Sequence, residues 1–210
     1  MDQETERALP AKCIRCNRLL SQPVFCDYCE TLNPVSGVTD HFQLLGLPRR
    51  FDIDREGLHE SYVSLSRHAH PDYHVSDAPE VRALSMRVSA QANEAYRTLS
   101  DPVRRASYLL ELLGGASSAE DKSVPDGFLE TMMMMQEEVQ DALASGDAGQ
   151  RSRIKNVLRT QQEGLMRRVA GLYAELDEAV SCEATRRELQ HGIRKQLNAV
   201  AYVRKLLSQV

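Results

Sequence analysis

The sequence predicts an all-α protein: two small helical units, the second an antiparallel three-helix bundle, behind a small N-terminal cysteine module. Three observations carry this. Apolar residues recur at steps of three and four from about residue 40 to the C-terminus. Period-two alternation is missing outside the cysteine segment. Proline, glycine and capping aspartates stand where such helices should start and stop. The chain has 210 residues, room for one or two compact domains and an appendage. With 42% hydrophobic and 27% charged residues it has the balance of a globular protein. A net charge of −4 gives no drive toward nucleic acid or anionic lipid, and neither is expected as a partner. No apolar run approaches the roughly 18 residues of a membrane span. The start "MDQETERALP" is acidic and lacks an apolar core, so no targeting signal is read there. A cytoplasmic location is expected, or the mitochondrial matrix if a presequence has been removed.

Residues 1–35 form the cysteine module. "CIRC" and "CDYC" place Cys13, Cys16, Cys26 and Cys29 in two CxxC pairs. Four thiolates at this spacing can close a tetrahedron around one structural zinc ion, each pair forming a tight knuckle. Asn17 follows the first pair, and asparagine tolerates the left-handed backbone such a knuckle needs. A complete four-cysteine set leaves no open ligand position, which favours a structural role over catalysis. With little apolar content of its own, the module should fold only when loaded. Redox-active iron or a disulfide pair is the alternative.

Residues 40–113 read as a helical unit. Asp54 can cap a helix whose apolar stripe is Leu58, Tyr62, Leu65 and Ala69. "APEVRALSMRVSAQANEAYRTL" repeats the pattern with Leu84, Val88, Ala92, Ala95, Tyr96 and Leu99. Asp101 then stands at an N-cap and Pro102 at the first helical position, and the helix stops on Gly114 and Gly115. Between the first two helices lies "SRHAHPDYHV". His68 and His70 point to different sides of a helix end, and His74 lies beyond Pro71, which ends the helix. No nearby Cys or Glu completes a metal set, and acid–base catalysis would need a pocket and an orienting group that the sequence does not display. A polar helix-to-helix turn or a docking loop remains.

Residues 114–126 are small, polar and broken by Pro125, and read as a linker. Residues 127–210 carry three helical patterns, roughly 128–145, 148–181 and 183–208, with short connections that favour antiparallel neighbours. The second shows Ile154, Val157, Leu158, Leu165, Met166, Val169, Leu172, Tyr173, Leu176 and Val180, and the third Leu189, Ile193, Leu197, Val200, Val203 and Leu207. In "FLETMMMMQEEVQD", Met132 to Met135 sweep about 300° around the axis, so at least one or two must face solvent. Unbranched thioethers suit irregular partners. Arg151, Arg153, Arg167, Arg168, Arg186 and Arg187 interleave with acids and read as a solvated face. Cys182, alone between the last two helices, reads as a packed small apolar residue.

"His70-Pro71-Asp72", set between "HFQLLGL" and "NEAYRTLSDP", resembles the J-domain, the module that docks onto 70-kDa heat-shock chaperones and stimulates their ATPase. Continuing through "YLLELLGG" and "FLETMMMMQEEVQDAL", the chain resembles the HscB family of J-type co-chaperones in iron–sulfur cluster assembly. The likeness covers about residues 12–210 and is specific from 41 to 145. It implies a protein with no active site of its own. Asp72 would be the anion that meets the chaperone, Pro71 the rigid kink, and His70 and Arg67 further contacts. The helix before the loop offers only Arg55 and Arg67 against Asp54, Glu56 and Glu60. Weak electrostatic steering of this kind implies a specialised partner of the HscA or DnaK type. The resemblance also implies that the bundle binds a scaffold protein of the IscU type through Leu129, Met133, Glu137, Asp141 and Tyr202. Glu130 and Met134 depart from the family's pattern there. Mitochondrial-type members carry a similar cysteine module. Another client, or a redox metalloprotein, are the alternative functions.

Overall fold

The computed structural model describes residues 12–20, 24–34, 40–179 and 182–210. Residues 1–11, 21–23 and 35 of the cysteine module, with Val180 and Ser181, lie outside them. Among the described residues the architecture is seven α-helices with no strand beyond two isolated bridges, Lys12 with Leu19 and Phe25 with Leu32. The chain divides into two compact units, Met1–Arg105 and Ala106–Val210.

In the first unit, α1 (His41–Leu44) starts on Asp40, whose carboxylate accepts the Gln43 amide and is gripped by Arg49. Helix α2 (Arg55–His68) starts on Asp54, whose carboxylate accepts the amides of Glu56 and Gly57, the expected cap. It packs along α3 (Pro79–Ser100). The seam buries Leu58, Leu65 and Ala69 against Val88, Ala92, Ala95 and Leu99. Tyr62 is half-buried, stacked on Tyr96 at 4.2 Å with its hydroxyl donating to Asn93. Two polar residues join this core against the apolar pattern. Ser85 is fully buried and donates its hydroxyl to the Ala69 carbonyl at 2.9 Å. The buried Arg105 donates to the carbonyls of Phe51 and Leu99 while lying over the Phe51 ring. Apolar periodicity does not select a serine or an arginine for the interior; nearby carbonyls do.

Helix α4 (Pro102–Leu112) begins as expected, with Asp101 accepting the Val103 and Arg104 amides, and contains the boundary between the units. It ends on Gly114, whose φ of +84° is left-handed, and on Gly115, where a Cβ would run into the Leu110 side chain.

The second unit packs α5 (Phe128–Ser145), α6 (Ala148–Glu178) and α7 (Glu183–Leu207) together. Its core is Phe128, Met132, Val139 and Ala142 against Ile154, Leu158, Leu165, Val169, Tyr173 and Leu176 and against Ile193, Leu197, Val200 and Val203. Asp147 caps α6 through the Gly149 and Gln150 amides. Val157, expected on the buried face, is half exposed. Segment 114–126 runs beside α7 on a hydrogen-bond ladder. Gln190 donates to the Leu113 carbonyl, Arg194 to that of Ala116, and Asn198 to those of Asp121 and Ser123. Steps of four put these donors on one helix face. Arg194 is fully buried, and its guanidinium also reaches Ser107 and Glu111. Cys182, expected to be packed, is also exposed. It stands at the N-cap of α7, where a small polar side chain meets solvent and the hydroxyl and amide of Thr185 lower its thiol pKa.

Candidate metal centre, docking loop and methionine face

The two CxxC pairs fold as matching knuckles. The Cys13 carbonyl accepts the Asn17 amide and the Cys26 carbonyl accepts the Glu30 amide, while the Cys13 and Cys26 amides donate onward to Arg18 and Thr31. Asn17 and Glu30 each take a positive φ, 58° and 55°. The first follows from asparagine chemistry; the second falls on a residue with no such preference and was not legible in the sequence. Buried Asn33 ties the knuckles together, accepting the Ile14 amide and donating to the Thr31 carbonyl.

This brings Cys13, Cys16, Cys26 and Cys29 together with all four sulfur atoms within 4.8 Å of one another. The Cys13–Cys29 and Cys16–Cys26 sulfurs are 3.5 and 3.6 Å apart. A tetrahedral ion with metal–sulfur bonds of about 2.3 Å has edges of about 3.8 Å, so the four thiols fit a single ion. The Thr31 hydroxyl and amide hold the Cys29 thiol down to about 6. The Arg18 amide draws Cys16 the same way, but burial and the neighbouring thiols win and push it up to about 11. Crowded thiols resist losing their last proton unless a cation replaces it. The four cysteines can therefore hold a metal ion.

The loop after α2 is built by caps. Helix α2 ends on Ala69, held by Ser85. His70 takes an extended backbone, and its Nδ1 accepts the Asp72 amide at 3.2 Å, opening a 3-10 turn at Pro71–His74 with Pro71 in its first position. Asp72 consequently points outward, its side chain 85% exposed, with the His70 ring 3.7 Å away. Arg67 is exposed one helical turn before. The turn's far end is pinned by His74, whose ring nitrogens reach the Asp77 carboxylate at 2.7 Å and the His68 carbonyl at 2.9 Å. His74 was legible only as lying beyond the helix end; its pinning role depends on acceptors brought by the fold.

On α5 the four methionines divide as the helical sweep requires. Met132 is buried and Met135 half-buried, whereas Met133 and Met134 are 68% and 65% exposed. Leu129 and Met133, four residues apart, share a face, and Glu137 and Asp141 continue that row, all exposed. Tyr202 of α7 meets the edge of the Phe128 ring at 6.2 Å and leaves half its own surface to solvent. The structure thus brings Tyr202 beside the start of α5, next to Leu129 in sequence.

The DnaJ domain model matches residues 40–108. The co-chaperone protein HscB homologue of Ralstonia nicotianae is 37% identical over 133 residues, covering 63% of this chain and 76% of that protein. The homologue of Bordetella petrii is 41% identical over 104 residues, 49% of this chain and 61% of that protein. That of Burkholderia thailandensis is 31% identical over 153 residues, 72% of this chain and 87% of that protein. The crystal structure of human co-chaperone protein HscB superposes with a TM-score of 0.76 at 22% identity, covering 94% of this chain and 95% of that one. Chaperone HscB from Vibrio cholerae gives 0.65 at 25% identity, covering 81% and 94%.

Proposed function

The chain belongs to the HscB family of co-chaperones, and on that premise we propose that it binds an iron–sulfur cluster scaffold protein of the IscU type and delivers it to a specialised 70-kDa heat-shock chaperone of the HscA or DnaK type, stimulating that chaperone's ATPase. It is a non-enzymatic co-chaperone. The observation that carries the reading is Asp72, an outward carboxylate on a proline-stiffened turn within the matched J-domain. A rigid, exposed anion has little ordering left to lose on meeting a basic partner. His70, Pro71 and Arg67 complete the docking surface.

The methionine face takes the scaffold protein, with Leu129, Met133 and Tyr202 as apolar anchors and Glu137 and Asp141 at their polar edge. Holding the scaffold on one unit and the chaperone on the other raises the scaffold's concentration at the chaperone without a new contact. The domain plan is a metal module over 1–35, a J-domain over 40–113, a connecting segment over 114–126 and a scaffold-binding bundle over 127–210. The four-thiolate set suits zinc, held by Cys13, Cys16, Cys26 and Cys29. Use of four cysteines as a metal-ligand set and bacterial relatives support a cytoplasmic setting, and no described helix is long and apolar enough to cross a membrane.

A steady-state ATPase assay with the cognate chaperone tests this. The protein should raise the chaperone's turnover, and scaffold protein should raise it further. Turnover unchanged by the protein at saturating concentration overturns the reading.

A further inference from the structure

The cysteine module is not a separate bead on the chain. Phe25, the residue before Cys26, is buried, and its ring lies flat on His68 with centroids 3.8 Å apart and planes within 9°. His68 is the last residue of α2, two before His70. Its Nδ1 donates back to the Ser64 carbonyl at 2.8 Å, which locks the ring in place, and its own carbonyl accepts from His74. Asp72 is therefore hung between two residues, His70 and His74, whose positions depend on the end of α2.

A second contact region reaches the same loop. The second knuckle and the start of α3 share a cavity of about 520 Å³, lined by Ile14, Thr31 and Leu32 from the module and by His74, Val81 and Leu84 from the other side. Val24 and Leu32, flanking the second knuckle, are buried as well. The module thus touches the loop at His68 and faces it across this cavity at His74.

We propose that the cysteine module positions the docking loop through the Phe25–His68 ring stack, so that an ordered module sets how tightly Asp72 engages the chaperone. This rests on the reading of Asp72 above. Phe25 and His68 are positioning residues: they do not meet the partner but hold the residues that do. Two flat rings in contact bury surface and favour a set mutual arrangement, and the stack links the module's second knuckle to the helix end. A short 3-10 turn has few bonds of its own, so its order depends on such external support. The ligand cluster is one residue from Phe25, so loading the module with metal would stiffen the same contact.

The experiment compares H68A, H68F and F25L in the full chain. H68A leaves every residue of the module in place, and H68F keeps a ring for Phe25 to lie on. In H68A, amide hydrogen exchange at Asp72, Tyr73 and Asp77 should quicken by about three- to tenfold, the loss of one ring pair. Exchange in the middle of α3 should stay unchanged. The concentration for half-maximal ATPase stimulation should rise about as much while the maximal rate holds, because the contact residues themselves remain. H68F should restore both, F25L should match H68A, and chelation of the module's metal should quicken the same three amides. Unchanged exchange at those amides in H68A and F25L overturns the proposal, and so does altered exchange with an unchanged half-maximal concentration. If the unaltered protein fails to stimulate any chaperone, the reading of Asp72 falls, and the exchange data still decide whether the stack holds the loop.

Discussion

Asp72 stands on a 3-10 turn with its carboxylate in water and the His70 ring 3.7 Å away. Met133 and Met134 stand on an 18-residue helix anchored by Phe128, Met132, Val139 and Ala142. The first surface offers one charge held by backbone geometry; the second offers flexible apolar area held by a packed core. A lone charge gives little in water but much once a partner excludes solvent around it, so its removal should act as a switch. Apolar area acts in proportion to what is buried, so its removal should act by degrees. On the function proposed above, one molecule would gate a chaperone with one residue while gripping a scaffold with several.

The largest effect that would break this contrast is at Asp72. D72N keeps the size and the turn but loses the charge, and should cost about 2–5 kcal/mol in docking. ATPase stimulation should fall to background while scaffold binding by calorimetry is unchanged; partial, graded loss would place the docking energy on several residues instead. At the other surface, alanine at Leu129, Met133 and Tyr202 together should weaken scaffold binding by more than about tenfold, with each single change giving a fraction of that. A single alanine that abolishes binding, or a triple that titrates like the parent protein, would erase the difference between the two surfaces.

Smaller effects sharpen the comparison through the supports. S85A removes the buried hydroxyl that holds the Ala69 carbonyl, and should lower stability by about 1–2 kcal/mol in denaturant unfolding, with faster exchange at the loop. The corresponding support in the second unit is Asp121, which accepts the Ser123 hydroxyl and amide and pairs with His191 at 2.9 Å. Those bonds, the Ser123 hydroxyl first, hold its carboxyl below its free value of 3.8. Its stabilisation is therefore complete above that pH and disappears as pH falls through the lowered folded value. Acid unfolding of D121N should begin from a lower plateau and show a shallower loss below pH about 4; identical curves for the two proteins would remove Asp121 from the ladder's energetics.

Much of this site could be read from the chain alone, and the reasons are local. Two CxxC pairs fix a four-sulfur cage because knuckle geometry is short-range, and Asn17 announces its own left-handed turn. Asp54 and Asp101 mark helix starts because a cap needs nothing beyond the next three residues. The run of four methionines had to expose some of its members on any helix, and Met133 and Met134 are the ones exposed. Residues whose role depends on distant partners were not legible. Ser85, Asn33, Arg105 and Arg194 are polar in composition yet buried, because carbonyls or amides from elsewhere in the fold come within reach. Cys182 failed in the opposite direction, since a small apolar-looking side chain was left at a helix cap with nothing packed over it.

By itself the sequence determined the helical class, the cysteine cage and the end of a helix before Pro71, each set by contacts within a few residues of the backbone. Only the tertiary structure decided which methionines meet solvent, which polar side chains close the core, and that the Phe25 ring of the module lies on His68 just before the His70–Pro71–Asp72 turn. Those outcomes join residues far apart in the chain, and such pairs are fixed by how whole helices and knuckles pack, which no local pattern encodes.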